Sequence, residues 1–371
     1  MKAISIKGLT KKYSSITAND DINLDVKSGE YIVLLGPTGS GKTTLLRCIA
    51  GLEDDYKGMI KIGKIPLEKM DVDERPVVFL GQDYSLFPHL NVWQNTIFGP
   101  TMQELTEKDI DSLGREMLSM VRLEERMDAF PGELSGGMKQ RNALARALAY
   151  DARVVLLDEP LRALDARLRI DLRSEIRRLC KYLERTTVHV THDQEEALTV
   201  ADKIAIMKNG RLLQVGTPSE VYEKPATPFV QHFMGGANFV MGKIQKSDNG
   251  AVFESNCGGV KLEVECNDME IGQDIVLSIK HDRTVLKRKA DMTGKNILHG
   301  RIVQRQFAGA FTTFEVRTES NINLVARLPS SVEIKFEPGM DVSLELPKEH
   351  IVCFCQDEES LKRELEVDAC Q

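Results

Sequence analysis

A lysine and two threonines close the glycine-rich run Gly36-Pro37-Thr38-Gly39-Ser40-Gly41-Lys42-Thr43-Thr44. Glycines at this spacing let backbone N–H groups curl around phosphate oxygens, and a following helix N-terminus adds partial positive charge. Lys42 would reach the β- and γ-phosphates of a nucleotide, and the Thr43 hydroxyl would ligate Mg²⁺. Further on, the apolar run Val154-Val155-Leu156-Leu157 ends in Asp158-Glu159. A buried strand of this kind holds its terminal acids at the sheet edge, facing the phosphate loop. Asp158 suits Mg²⁺ through water, and Glu159 is placed to polarise an attacking water as general base. A glycine-rich turn and an ordinary surface acid pair are the plain alternatives. The complete motifs, in this order, outweigh them.

These residues need strands and helices to position them. Tyr31–Leu35 reads as a strand entering the glycine loop, and Thr43–Ala50 as a helix stopped at Gly51. Val77–Leu80, Val154–Leu157 and Val188–Thr191 are further short apolar or β-branched runs, each feeding a polar turn. The pattern predicts an α/β fold, a mostly parallel sheet covered by helices. Leu168, Leu172, Ile176, Leu179 and Leu183 recur at helical spacing and predict one face packed on that sheet. Pro218–Glu223 and Thr227–Met234 read as two short helices.

The texture changes at Gly235-Gly236. Beyond it come alternating runs: Val260, Leu262, Val264; Ile275, Leu277, Ile279; Phe311–Val316; Leu324–Leu328; Val342–Leu346; Ile351–Phe354. Turn signals at Asp248-Asn249-Gly250 and Glu337-Pro338-Gly339 separate them. This predicts an all-β module, a small barrel. The expected domains are residues 1–235, 236–356 and an acidic tail, 357–371, with too few apolar residues to join a core.

Composition narrows the class. The chain has 371 residues, 42% hydrophobic and 28% charged, with a net charge of −7. That balance argues against a general nucleic-acid binder. No run of ~18 uncharged apolar residues predicts a membrane span, and the N-terminus carries no signal-peptide pattern. The seven cysteines are odd in number and scattered, which fits reduced thiols of a cytosolic protein. Cys353 and Cys355 fit two thiols on one strand face.

Between the two phosphate-chemistry motifs lies Leu134-Ser135-Gly136-Gly137, and that ordered set resembles the ATP-binding cassette (ABC) ATPases. The resemblance spans residues 1 to roughly 235 and assigns further roles. Gln82, in Gly81-Gln82-Asp83-Tyr84-Ser85-Leu86-Phe87-Pro88-His89, is similar to the Q-loop glutamine that touches the metal or the attacking water. Leu134–Gln140 resembles the signature motif, which closes over ATP held by a second copy, so Ser135 and Gly137 would meet that copy's γ-phosphate. Leu164-Asp165 resembles the D-loop, and Thr191-His192-Asp193 the switch histidine, which would bond the γ-phosphate in its own subunit. Tyr13 stands at the adenine-stacking position.

Tyr84–Leu90, Ala163–Arg169 and His192–Ala197 match ATPases of maltose, polyamine, ferric-iron and sulfate importers, which carry a C-terminal barrel of the TOBE type. The resemblance implies an ATP- and Mg²⁺-dependent ATPase working as a homodimer. It would dock on transmembrane permease subunits at the cytoplasmic face of the membrane, served indirectly by an extracytoplasmic solute-binding protein. Four positions depart from the family: Met138-Lys139 for Gln and a polar residue, Arg162 for Ser, and Gly81 for Phe. None removes a catalytic group. Gly235-Gly236-Ala237-Asn238-Phe239 resembles polyamine, ferric-iron or oxyanion members more than sugar importers. A soluble ABC ATPase acting on ribosomes or DNA would carry two cassettes or a coiled coil. Here there is one cassette without sustained heptads. A non-catalytic sensor would not need Lys42, Gln82, Glu159 and His192 together.

Overall fold

The computed structural model describes residues 2–103, 105–247, 250–257, 260–265, 270–288, 295–331 and 336–365. The chain divides into two compact units between Val221 and Tyr222, ahead of the change in sequence texture at Gly235. The first unit opens on an antiparallel pair, β1 (Lys2–Tyr13) and β2 (Ile16–Lys27). β3 (Tyr31–Leu35) leads into α1 (Lys42–Ala50), then β4 (Lys57–Ile62) and β5 (Ile65–Pro66). After β6 (Val77–Leu80) come α2 (Val92–Met102), α3 (Glu107–Met120) and α4 (Gly136–Ala149). β7 (Val154–Asp158), α5 (Ala166–Tyr182), β8 (Thr186–Thr191) and α6 (Gln194–Val200) alternate. β9 (Lys203–Lys208) and β10 (Arg211–Gly216) follow, and α7 (Pro218–Glu223) carries the chain across the division.

The frame of the first unit is a six-stranded sheet in the order β10-β9-β3-β8-β7-β6. All its pairings are parallel except β10 on β9. β3, β7 and β8 are buried at every position, as a parallel sheet covered on both faces requires. A second sheet, β2-β1-β4-β5, is antiparallel and was not foreseen. Its inner residues Ile4, Ile6, Leu9, Ile22, Leu24 and Ile60 share one core with Leu45, Leu46 and Ile49 of α1. Register shifts between Ile6 and Leu9 break the two-residue alternation that would have marked β1 in sequence. In α5 the buried stripe is Leu172, Ile176 and Cys180 together with Arg173, whereas Leu183 is exposed. The helix stops at Tyr182, so Leu183 falls outside the periodic face that its spacing suggested.

The second unit begins with α8 (Pro228–Phe233), β11 (Ala237–Ser247), β12 (Gly250–Ser255) and β13 (Lys261–Glu263). It continues through β14 (Asp274–Lys280), β15 (Val285–Arg288), β16 (Ile297–Phe307), β17 (Phe311–Thr318) and β18 (Asn323–Pro329). β19 (Asp341–Glu345), β20 (Val352–Phe354) and α9 (Glu358–Leu365) complete it. The strands form two five-stranded antiparallel sheets, β13-β12-β11-β14-β20 and β15-β19-β16-β17-β18. Their inner faces meet through Phe253, Ile275, Leu277, Phe314, Val316, Phe336 and Leu344. The Asp248-Asn249 turn signal, Cys266, Cys370 and residues 366–371 lie outside the described residues. The start of the acidic tail is helical, and Leu361 is buried beside Val276 and Phe354. Leu365 packs on the same cluster, and the Glu364 carboxylate accepts from the Phe229 N–H at 3.0 Å. Cys353 lies on β20, and Cys355 is exposed just past the strand's end.

The second unit carries a pH dependence of its own. Burial, with Arg327 and His232 nearby, pushes the His281 imidazole from 6.5 down to about 4. As pH falls below the unfolded value, the unfolded chain takes up a proton that the folded chain refuses. The contribution is whole above pH ~6.5 and is lost as pH falls toward ~4. Hydrogen exchange at the β14 amides, corrected for intrinsic rate, should therefore speed up between pH 6.5 and 4.5. A His281→Gln variant should flatten this change, and an equally steep profile in that variant would refute it.

Candidate nucleotide site

Strand register brings the site together. β3 pairs with β8 so that Leu35 faces Thr191, and β7 pairs with β8 so that Asp158 faces Val190. β6 pairs with β7 so that Leu80 faces Leu157. The C-terminal ends of all four strands therefore lie level. The segments leaving them are the phosphate loop, the Gln82 turn, Glu159 and His192. This is the edge where ligands bind in open α/β sheets.

The phosphate loop is held by its own backbone and by β2. Gly41 caps α1 with φ 96°, and a Cβ added there would fall 2.1 Å from the Ala18 carbonyl oxygen. Only glycine fits that position. The Asn19 amide donates to the Gly41 carbonyl at 3.1 Å. Pro37, Thr38 and Gly39 form the outer part of the loop, with Thr38 and Gly39 exposed, while Gly36 and Ser40 are buried and Thr44 is half-buried. Lys42 is 6% exposed. Its ammonium donates to the Gly36 carbonyl at 2.8 Å, the Pro37 carbonyl at 2.7 Å and the Ser40 hydroxyl at 3.2 Å. Burial draws Lys42 below the usual lysine range, and the Glu159 and Asp158 carboxylates oppose that shift. The loop's own oxygens thus occupy the cation.

Asp158 is 1% exposed, and two side chains converge on it. Asp158 Oδ1 accepts from the Thr43 hydroxyl at 3.2 Å and from the Gln82 amide at 3.3 Å, and Gln82 also reaches the Thr43 hydroxyl at 3.4 Å. Burial raises the Asp158 pKa above the usual carboxylate range, with Thr43 and Gln82 bonds acting against it. A buried carboxylate and a hydroxyl are hard oxygen donors that fit Mg²⁺, and turning over the Gln82 amide, whose nitrogen faces them here, would bring a third oxygen.

Glu159 adopts φ 48°, in the left-handed region that non-glycine residues rarely enter. Bonds from distant elements hold it there. Its N–H donates to the Val190 carbonyl at 2.9 Å. Its carbonyl accepts from the Tyr84 hydroxyl at 3.1 Å and from the Gln140 amide at 3.3 Å. Gln140 also donates to the Pro160 carbonyl at 2.6 Å and accepts from the Ala163 N–H at 2.9 Å. The Glu159 side chain lies 3.1 Å from His192 Nδ1 and 3.0 Å from Arg162 Nη1. Tyr84, Gln140 and Arg162 were missed as site residues. They are distant in sequence or fit no spacing rule, and only the tertiary bonds reveal them.

The signature residues stand apart from this cluster. Ser135 caps α4 and accepts from the Met138 N–H at 3.3 Å. Leu134 is buried, whereas Ser135 and Gly136 are exposed and Gly137 is half-buried. Asp165 caps α5 by accepting from the Leu168 N–H at 2.9 Å. Tyr13 ends β1, is 41% exposed, and lies under the Lys11 ammonium at 4.9 Å from the ring centre. It pairs with Ile16 of β2, the strand whose Ala18 and Asn19 abut Gly41. After the Gln82 turn, Val92 is fully buried and Trp93 packs on Gly114, where a Cβ would lie 2.7 Å from the indole. Ser85, Pro88 and His89 are exposed.

Residues 19–162 match the family described as ABC transporter, and residues 274–354 match the TOBE domain. The sulfate/thiosulfate import ATP-binding protein CysA of Bacillus cereus is 45% identical over 265 residues, 70% of this chain and 72% of that protein. The spermidine/putrescine import ATP-binding protein PotA of Thermotoga maritima is 38% identical over 319 residues, 85% of this chain and 87% of that protein. A solved dimeric ATP-binding cassette in a post-hydrolysis state, bound to ADP and Pi, superposes with a TM-score of 0.54 at 30% identity. It covers 58% of this chain and 98% of its own. With the motifs assembled on one sheet edge and these relatives spanning both units, the chain belongs to the ABC transporter family, as an ATP-hydrolysing subunit with a TOBE domain.

Proposed function

We propose that the subunit binds Mg-ATP and hydrolyses it as one half of a homodimer docked on membrane permease subunits, driving solute import. The convergence of Thr43 and Gln82 on buried Asp158, beside Glu159, carries this reading. Tyr13 would stack on adenine, and residues 36–44 would cradle the phosphates, with Lys42 turning from the loop carbonyls to the β- and γ-phosphates. Thr43, Gln82 and Asp158 would hold Mg²⁺, which offsets phosphate charge when bound. Glu159 takes a proton from the attacking water as its oxygen bonds to the γ-phosphorus. The bond to the bridging oxygen breaks, and ADP leaves with that electron pair. His192 steadies the γ-phosphate and the Glu159 carboxylate. The exposed α4 N-terminus, with Leu134 buried beneath Ser135, Gly136 and Gly137, suits closure over a second copy's nucleotide, with Asp165 at the same junction.

The domains are proposed as a cassette over residues 1–235 and a regulatory module over 236–356 that takes no part in hydrolysis, followed by the tail. The hint of a solute in Gly235–Phe239 has a structural use as well. The Asn238 amide donates to the Val325 carbonyl at 2.8 Å and to the Thr284 hydroxyl at 3.1 Å. The named relatives divide between sulfate or thiosulfate and polyamines, and a charged solute of one of these kinds is proposed. No helix among the described residues is long and apolar enough to cross a membrane. Attachment to the cytoplasmic face of a membrane, beside permeases fed by an extracytoplasmic binding protein, is therefore proposed through docking. The exposed segment at Ser85 and His89 would meet a short permease helix. Cysteines placed there, with exposed Cys257 and Cys355 replaced, should crosslink to a permease copurified from membranes. An active, assembled transporter that gives no such crosslink would refute the docking site.

A further inference from the structure

Both oxygens of the Glu159 carboxylate are engaged. Oε1 faces His192 Nδ1 at 3.1 Å, and Oε2 accepts from Arg162 Nη1 at 3.0 Å. Arg162 lies one turn further on, its N–H donating to the Glu159 carbonyl at 3.3 Å. The turn does not depend on the guanidinium, because Tyr84 and Gln140 already tie the Glu159 carbonyl and Gln140 also takes the Ala163 N–H. The Arg162 side chain is 62% exposed against 13% for Glu159. An exposed cation therefore caps a nearly buried carboxylate. Arg162 and Glu159 also line a cavity of about 120 Å³ together with His192, Arg169, Asp193 and Glu196. The guanidinium can leave the carboxylate without displacing a packed side chain.

We propose that Arg162 is a positioning residue that restrains the general base in the resting subunit and lowers uncoupled ATP turnover. This rests on the reading of Glu159 as base. To act, Glu159 must offer an oxygen lone pair to the attacking water and then carry its proton. While Arg162 holds Oε2 and His192 faces Oε1, the carboxylate must give up one of these contacts to present an oxygen to water. An exposed pair of this kind is weak, so it can restrain the base and still be released when a second copy closes on the site. The bond energy of such a pair corresponds to a change of about two- to fivefold in rate.

The test uses the full chain and Mg-ATP alone, without permease. Arg162→Ser and Arg162→Gln should each raise kcat by about two- to fivefold with KM for ATP little changed. Arg162→Lys, which keeps the charge but loses the planar fork, should fall between them and wild type. A merely structural arginine would lower kcat on removal, and its loss would not be graded by charge. No change or a fall in kcat in both neutral variants overturns the proposal. Glu159→Gln, assayed beside them, separates the two ideas. If it keeps near-normal turnover, the base assignment has failed. If it is inactive while the neutral Arg162 variants show no rise, only the restraint has failed.

Discussion

Replacing Glu159 by Gln should cut ATP turnover by ~10²-fold or more while leaving nucleotide binding intact. The substitution keeps the side-chain shape. An amide oxygen can still accept from Arg162, and the backbone ties from Tyr84, Gln140 and Val190 are untouched, so the left-handed turn should persist. Lys42, Thr43 and Asp158, which would meet the phosphates and the cation, belong to other elements. The lost function is proton acceptance, together with the carboxylate charge that bears on Lys42 and Arg162. Equilibrium binding of ATP at wild-type affinity, with single-turnover hydrolysis collapsed, is the expected pair of results. Near-normal turnover would show that another group takes the proton and would remove Glu159 from the mechanism.

Mixing two inactive subunits should restore activity. If each site uses its own Glu159 and the second copy's signature residues, a Glu159→Gln chain still offers an intact Ser135. A Ser135→Arg chain still offers an intact base and phosphate loop. In a mixed dimer both defects fall into one site, and the other site is wild type in every part. Random pairing at equal concentrations makes about half of the dimers mixed, each with one working site, so about a quarter of the wild-type rate should return. The Ser135 hydroxyl caps α4 at a position exposed in the single chain, so an arginine there blocks closure without opening the core. Two dead variants that stay dead when mixed would argue that each chain completes its own site. Light scattering would show separately whether ATP drives pairing.

The parts of the site legible in sequence are those built from contiguous residues. The phosphate loop needs glycines, a lysine and a threonine at fixed offsets, because one turn of backbone must do the wrapping, and Gly36–Thr44 contains them all. Asp158-Glu159 is legible because the apolar run before it can only be a covered strand. The alternating runs after Gly236 marked strands for the same local reason: side chains of a strand with one buried face alternate. What lies far apart in the chain was decided by strand register. Gln82 reaches Asp158 because Leu80 pairs with Leu157, and His192 reaches Glu159 because Val190 pairs with Asp158. Family resemblance could name these residues, but their spacing could not bring them together. The bulged β1 lost its alternation, Leu183 slipped off the α5 stripe, and Leu361 docked a tail that composition left outside the core. Tyr84, Gln140 and Arg162 fall within the motif segments, but nothing local ties them to Glu159. Their roles exist only once the sheet, the helices and the Glu159 turn have come together, because a hydrogen bond depends on where two groups end up in space and not on their separation along the chain.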